Sequence, residues 1–364
     1  VVARKGKVIY QKSFGNHTYE SSQKVSNLDV YDIASLTKIV ATLPNVMQEF
    51  DKGHLTLETK LKSMLPMAKN SNKANATVLD MLTHQARFQP WIPFYKATLD
   101  SLNRPSTHFY RSEFSDEFPV HVADKLYLRK NYNDTIVKTI LDSELLPKKQ
   151  YKYSDFTFIL FKEYLELHNK KSLEDLAHAN FFEPLGANSI MYNPLRKMNA
   201  NRIIPTENDN YFRHQIVQGY VHDMAAAMQG GISGHAGLFA NALDVAKVMQ
   251  MFLQKGSYGG RTYISENTFN TFNTCYFCKD GNRRGVGFDK PQLGNEGPTC
   301  GCVSLTSFGH TGFTGTMTWA DPEKEIVYVF LSNRTFPDSN ATNKLSKENI
   351  RENIQKVIYE AIIE

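Results

Sequence analysis

At 364 residues, with 41% hydrophobic and 12% aromatic side chains, the chain can bury a full core and is long enough for one large domain or two. Its 42 basic and 37 acidic residues leave a formal charge of +5. The Lys and Arg are spread along the sequence rather than gathered into a stripe that could follow phosphates, which argues against a nucleic-acid partner.

In chain order, KVIYQKSF alternates apolar and polar residues before Gly15-Asn16, the pattern of a strand and a turn. YDIASLTKIVATLPNVMQEFDKG then places Val40, Leu43, Met47 and Phe50 at helical spacing, with Gly53 as the stop. The stretch 88–150 is irregular and aromatic, with Trp91, Phe94, Tyr95, Phe109 and Tyr110. It reads as a helical and loop elaboration whose aromatics pack onto the body. NALDVAKVMQMFLQKG predicts a helix capped by Asn241, with Val245, Val248, Met249 and Phe252 on one face and Gly256 at its end. GTMTWADPEKEIVYVFLSNR predicts a strand, an Asp321-Pro322 turn and a buried strand from Ile326. Ile350, Ile354, Val357, Ile358 and Ile362 predict a terminal helix covering the sheet.

No apolar run approaches the roughly 20 residues that span a bilayer. The opening VVARKGKVIY has neither an initiating Met nor a signal-peptide pattern, so a soluble piece of a longer product is expected. Four cysteines cluster as Cys275, Cys278, Cys300 and Cys302. Two disulfides closing one local loop are the first expectation, with a structural zinc or free thiols as alternatives.

Ser35 falls at or near the first turn of its helix, and Lys38 lies almost one turn further on, so both project on the same side. A serine hydroxyl is a weak nucleophile, which an adjacent amine can activate, and a helix N-terminus favours developing negative charge. Alone, S-x-x-K fits an ordinary N-cap equally well. His84 is expected to be a hydrogen-bonded structural residue. One histidine each in VHD (His222) and GHAG (His235) does not make a ligand set, so no catalytic metal and no cofactor are expected.

Two further elements accompany Ser35-Leu-Thr-Lys38: Tyr153-Ser-Asp155 before an apolar run, then His310-Thr311-Gly312. In this order and spacing they resemble the serine β-lactamase and penicillin-binding protein superfamily. Tyr153 resembles the class C β-lactamase and esterase branch. HLTLETKLKSMLP, TVLDMLTH, FFEPLGA and GHAGLFANALDVAKVMQMFL resemble intervening family segments, so the likeness covers nearly the whole chain.

The resemblance implies acylation of Ser35, with Lys38 and Tyr153 handling its proton. Asp155 and His310 would complete the catalytic set. Thr311 and Gly312 would line the substrate wall, and the backbone amides of Ser35 and Phe313 would form the oxyanion hole. Asp155 replaces the usual amide and should hold Lys38 as ammonium, which shifts the base role toward Tyr153. His310 replaces a permanent cation with a group expected to titrate near neutrality, so β-lactam capture should be weak. LTHQAR lacks the glycine of the family's LTHxSG, so the loop after His84 should follow another path.

The implied fold is α/β (α+β), serine β-lactamase/transpeptidase-like: an antiparallel sheet from both chain ends, flanked by helices. The expected division is 1–55 with 285–364 as the sheet subdomain and 56–284 as a mainly helical one carrying the 88–150 insertion. The expected activity is that of a serine hydrolase on an ester or amide (esterase, peptidase or β-lactam type) in bacterial cell-wall or glycan processing, outside the cytoplasm. Its partner would be a small-molecule, peptide or glycan-linked substrate. The alternative is a catalytically weak binding domain, because the Y-S-D and G-H-T-G-F-T-G pattern is similar to domains appended to family 3 glycoside hydrolases. That would place an N-terminal glycosidase domain in the full-length protein.

Overall fold

The computed structural model describes residues 1–294, 297–339 and 343–362. An antiparallel hairpin opens the chain: β1 (Val2–Arg4) and β2 (Lys7–Tyr10) are joined by Lys5 and Gly6, both at positive φ. Three strands from the other end complete the sheet: β3 (Phe308–Thr311), β4 (Met317–Asp321) and β5 (Ile326–Phe330). The order is β3-β4-β5-β1-β2, antiparallel throughout, with Ala3 opposite Val327 and Trp319 opposite Tyr328. The expected α+β architecture, with a sheet drawn from both chain ends, is the one observed.

Period-2 alternation gives the sheet two apolar faces. Phe308, Ala320, Val327 and Val329 belong to the main core, together with Val245, Val248, Met249 and Phe252 of the helix Ala242–Leu253. Asn241 caps that helix by accepting a hydrogen bond from the Asp244 amide at 2.9 Å, as its sequence predicts. Val2, Met317, Trp319 and Tyr328 form the opposite face, against Ile358 of the terminal helix Ile350–Glu360.

That terminal helix is rotated from its expected pose. Ile354 is 39% and Val357 64% exposed, whereas Gln355 is fully buried. Polar anchors set the rotation: Tyr359 donates to Asp321 at 2.7 Å, the Tyr328 hydroxyl donates to the Arg351 carbonyl at 3.2 Å, and Gln355 accepts from the Cys300 amide at 3.0 Å. Together these polar contacts fix a rotation that leaves two aliphatic side chains partly exposed. Ile354 and Val357 instead line an apolar groove of about 990 Å³ with Ile9, Tyr10 and Phe14.

Two helices define the site. α1 (Leu43–Asp51) continues from a π-helical turn over Lys38–Thr42, and α2 is Phe156–Asn169. In the 88–150 stretch the structure corrects the helix-and-loop expectation. Tyr110–Arg111, Val120–Ala123 and Leu126–Leu128 form a three-stranded sheet before the helix Tyr132–Asp142. Valine and aromatic residues on both sides of Asp124-Lys125, the latter at φ 47°, favour a hairpin there. Phe94, Tyr95 and Tyr110 are buried as expected, but Trp91 is 54% exposed.

The cysteines form disulfides Cys275–Cys278 and Cys300–Cys302. Each bridge stays within its own pair, so the expected staple across the whole loop is not formed. Closing a loop of a few residues constrains the unfolded chain less than tying Cys275 to Cys302 would.

Candidate active site

Ser35 leaves a short strand, Tyr31–Asp32, through Ala34 at φ 47°. Positive φ in a residue with a Cβ is strained and persists only where neighbours enforce it. Here the buried Asp32 carboxylate accepts the amides of Ala34 at 2.8 Å and His222 at 2.7 Å. Thr314 and Thr316 donate their hydroxyls to the carbonyls of Asp32 at 2.8 Å and Ile33 at 3.2 Å. The turn bearing Ser35 is thereby tied to the segment after β3. Gly312 allows the approach, since a Cβ there would lie 2.1 Å from Thr316 Oγ1 and 2.9 Å from the Ile33 carbonyl.

Ser35 is not a helix cap. Its hydroxyl accepts from Lys38 Nζ at 2.9 Å and from the Tyr153 hydroxyl at 3.1 Å. Lys38, fully buried, also pairs with Asp155 at 2.7 Å and donates to the His235 carbonyl at 3.1 Å. Burial alone would favour the neutral amine, but Asp155 and Tyr153 outweigh it and hold Lys38 above the ordinary lysine value. Burial pushes the Tyr153 phenol up, with Asp155 adding to the rise and Lys38 and Arg284 opposing it. At neutral pH the resting set is therefore an ammonium and a phenol. Sequence residues 35, 38, 153 and 155 converge as expected.

The opposite wall is made by β3. His310 is buried, its ring centroid 5.9 Å from that of Tyr153, with Nδ1 2.7 Å from the Thr311 carbonyl. The expectation that it titrates near neutrality is corrected. Desolvation, reinforced by Arg284 and Lys38, pushes it down to about 3. His310 is thus a neutral imidazole at pH 7. Thr311 is partly exposed at the strand end, and Phe313 is 55% exposed. The amides of Leu36, Thr37 and Lys38 bond within their turn, and that of Gly312 to the Thr316 carbonyl. The Ser35 and Phe313 amides lie beside these, outside that hydrogen bonding.

Two residues here were not singled out from sequence. Buried Arg284 lies 5.3 Å from the Tyr153 ring and 5.7 Å from that of Tyr151, and approaches Asp289 at 3.5 Å. It supplies the fixed positive charge that His310 does not. The only sequence signal was the Arg283-Arg284 pair between the two cysteine pairs, which carries no motif. Asp223, from the same VHD as His222, pairs with His235 at 2.8 Å. Burial would raise its carboxyl, yet His235 and the Ala226 amide hold it well below the usual carboxylate range. Asp155, Asp223 and His235 offer ligand atoms within 4.8 Å of one another, and Lys38 already supplies a cation to Asp155.

His84 is buried and hydrogen-bonded: it accepts the Ser154 amide at 3.2 Å and packs 4.6 Å from Tyr153. Arg87, at the position of the family's glycine, takes φ 62°. The loop keeps a left-handed residue there despite the side chain, helped by two contacts with Leu146: its amide donates to the Arg87 carbonyl at 2.7 Å, and Arg87 Nε donates to its carbonyl at 2.5 Å. His222 pairs with Glu207 at 3.0 Å and packs 5.4 Å from Phe313.

The chain is similar to known proteins over most of its length. The chain is 26% identical to an Escherichia coli K12 protein provisionally named a D-alanyl-D-alanine carboxypeptidase, over 92% of this chain and 77% of the relative. It is 28% identical to an N-acetylmuramyl-L-alanine amidase of Bacillus subtilis 168, over 92% and 76%. Among solved structures, EstCE1, a hydrolase with promiscuous acyltransferase activity, superposes with a TM-score of 0.69 at 16% identity, covering 98% of this chain and 92% of its own. A penicillin-binding protein homologue from Caulobacter crescentus gives 0.63 at 16% identity, covering 91% and 85%. The β-lactamase family profile matches residues 1–349, and the chain belongs to the β-lactamase family.

Proposed function

We propose that the protein is an acyl-transferring serine hydrolase with Ser35 as nucleophile, acting on an amide or ester of a cell-wall peptide or glycan-linked substrate. The observation that carries this reading is one oxygen, Ser35 Oγ, held by both Lys38 at 2.9 Å and Tyr153 at 3.1 Å. A buried ammonium and a half-buried phenol converging on one serine hydroxyl suit an activated nucleophile better than a mere binding pocket.

In this reading Ser35 Oγ attacks the carbonyl carbon. Its proton passes to the Tyr153 oxygen while the phenol proton moves to the leaving nitrogen or oxygen, whose bond to carbon then breaks. The Lys38 ammonium, kept by Asp155, stabilises the developing negative charge. Water then attacks the acyl-Ser35 ester, its proton returns through Tyr153 to Ser35 Oγ, and the acid product leaves. The amides of Ser35 and Phe313 would hold the oxyanion, each worth roughly 3–4 kcal/mol. His310, Thr311 and Gly312 would line the substrate side. Exposed Trp91 borders the crevice lined by Asp155 and Asp223 and would offer a face to a sugar or side chain.

The cell-wall assignment rests on the carboxypeptidase and amidase relatives. With it goes an extracytoplasmic bacterial location; an N-terminal glycosidase domain belongs to the alternative reading as an accessory domain. No helix of the described residues is long and apolar enough to cross a membrane. The test is intact mass over time for the protein and Ser35→Ala with a fluorophosphonate, an activated ester and a penicillin. A Ser35-dependent adduct that then releases supports the hydrolase. No adduct with any reagent overturns it in favour of an accessory binding domain.

A further inference from the structure

The two helices that carry the catalytic groups near their N-terminal ends meet again at their C-terminal ends. Glu49 lies in the last turn of α1, His54 follows it, and His168 lies in the last turn of α2, roughly 20 Å along the helix from Asp155 at 1.5 Å per residue. Three atoms of these residues converge. Glu49 Oε2 is 2.7 Å from His54 Nδ1 and 3.2 Å from His168 Nε2, and the two ring nitrogens are 3.1 Å apart.

Hydrogen bonding cannot satisfy all three contacts with neutral rings. If both nitrogens donate to the carboxylate, their protons face each other. If one accepts from the other, its lone pair faces the carboxylate oxygen. A cation at the centre turns all three lone pairs into favourable contacts. Tetrahedral zinc, with bonds of about 2.0–2.2 Å, holds its ligand atoms about 3.3–3.5 Å apart, so the triad needs only a small expansion.

The surroundings fit a metal. Glu49 is 3% exposed, while the His54 and His168 side chains are 45% and 37% exposed, which leaves a route and a solvent-facing coordination position. Lys52 holds the other oxygen, Oε1, at 2.9 Å and leaves Oε2 for the ion. The His168 ring is stacked on buried Tyr164 at 5.4 Å. Helix C-termini carry negative partial charge. Two imidazoles and one carboxylate select zinc, nickel, cobalt or copper over magnesium and calcium.

We propose that Glu49, His54 and His168 form a divalent transition-metal site, with zinc as its ion, that clamps the far ends of the two catalytic helices. The ion is structural: it lies at the opposite ends of α1 and α2 from Ser35 and Tyr153.

The test uses untagged full chain stripped with EDTA, titrated with zinc chloride and, separately, with cobalt(II) as a spectroscopic probe. Expected are about one zinc per chain at roughly micromolar affinity, tetrahedral cobalt bands in the visible, and a melting temperature raised by zinc. His54→Ala and His168→Ala should each weaken binding by about tenfold or more with ester turnover unchanged, and Asp223→Asn at the other carboxylate–histidine cluster should retain it. Absence of stoichiometric zinc binding overturns the proposal, as does equal affinity in the His54→Ala/His168→Ala double variant. The cobalt spectrum of the unsubstituted protein tests the site without reliance on a variant's folding.

Discussion

The two sides of Ser35 are built on opposite electrostatic plans. On the helix side, Lys38, Asp155 and Tyr153 form a hydrogen-bonded set in which a carboxylate keeps a buried amine charged. On the strand side, the residue facing the site is His310, kept neutral, and the fixed charge lies behind the tyrosine on Arg284. Desolvation acts on both sides alike; what differs is the partner. Lys38 has a carboxylate bonded to it at 2.7 Å, whereas the ring of His310 bonds a carbonyl of its own strand, and the cations Arg284 and Lys38 outweigh the one nearby carboxylate, Asp289. A buried group keeps its charge only where a counter-charge repays the lost hydration.

Breaking the helix side should have the largest effect. Ser35→Ala is expected to lower ester turnover by about 10,000-fold or more and to abolish the mass adduct. Tyr153→Phe should follow, at about 100- to 10,000-fold in kcat, because the proton relay is lost while Lys38 still donates to Ser35. Asp155→Asn sharpens the contrast. Without the carboxylate the Lys38 pKa falls, so a free amine becomes accessible at lower pH and the rate of the variant should climb with rising pH before that of the parent does. A pH–rate profile of both proteins decides this.

The strand side predicts a stability effect. Buried His310 and His84 are both depressed below the unfolded histidine value of about 6.5. Below that pH the unfolded chain binds protons that the folded chain refuses until near His310's pKa of about 3, so stability should fall as pH drops through this window. His310→Gln, which cannot titrate, should show a shallower loss in denaturant melts at pH 4 than at pH 7 relative to the parent. The smallest effect is expected from reduction. Dithiothreitol should lower the melting temperature by only about a few degrees, because both disulfides close very short loops.

Local pattern carried much of this protein. Asn241 before an apolar 3.6-residue repeat was enough to place the helix Ala242–Leu253, because capping and amphipathicity lie within one segment. Asp321-Pro322 between two β-rich runs placed β4 and β5 for the same reason. The terminal helix was found but its buried face was not, since that face follows Asp321 and Cys300, partners distant in sequence. The small sheet of the 88–150 stretch was missed because its strands are only two to four residues long, too short for a clear period.

The site divides the same way. Ser35 and Lys38 are one helical turn apart and Tyr153 and Asp155 share one tripeptide, so each pair was legible as a unit. By itself the sequence determined these pairs, their order along the chain, and the strands near each chain end, because spacing and periodicity are properties of neighbouring residues. Only the tertiary structure decided that His310 is neutral, that Arg284 stands behind Tyr153, and that Glu49, His54 and His168 meet. Charge state and convergence depend on burial and on groups brought together from distant segments, and no local pattern encodes either.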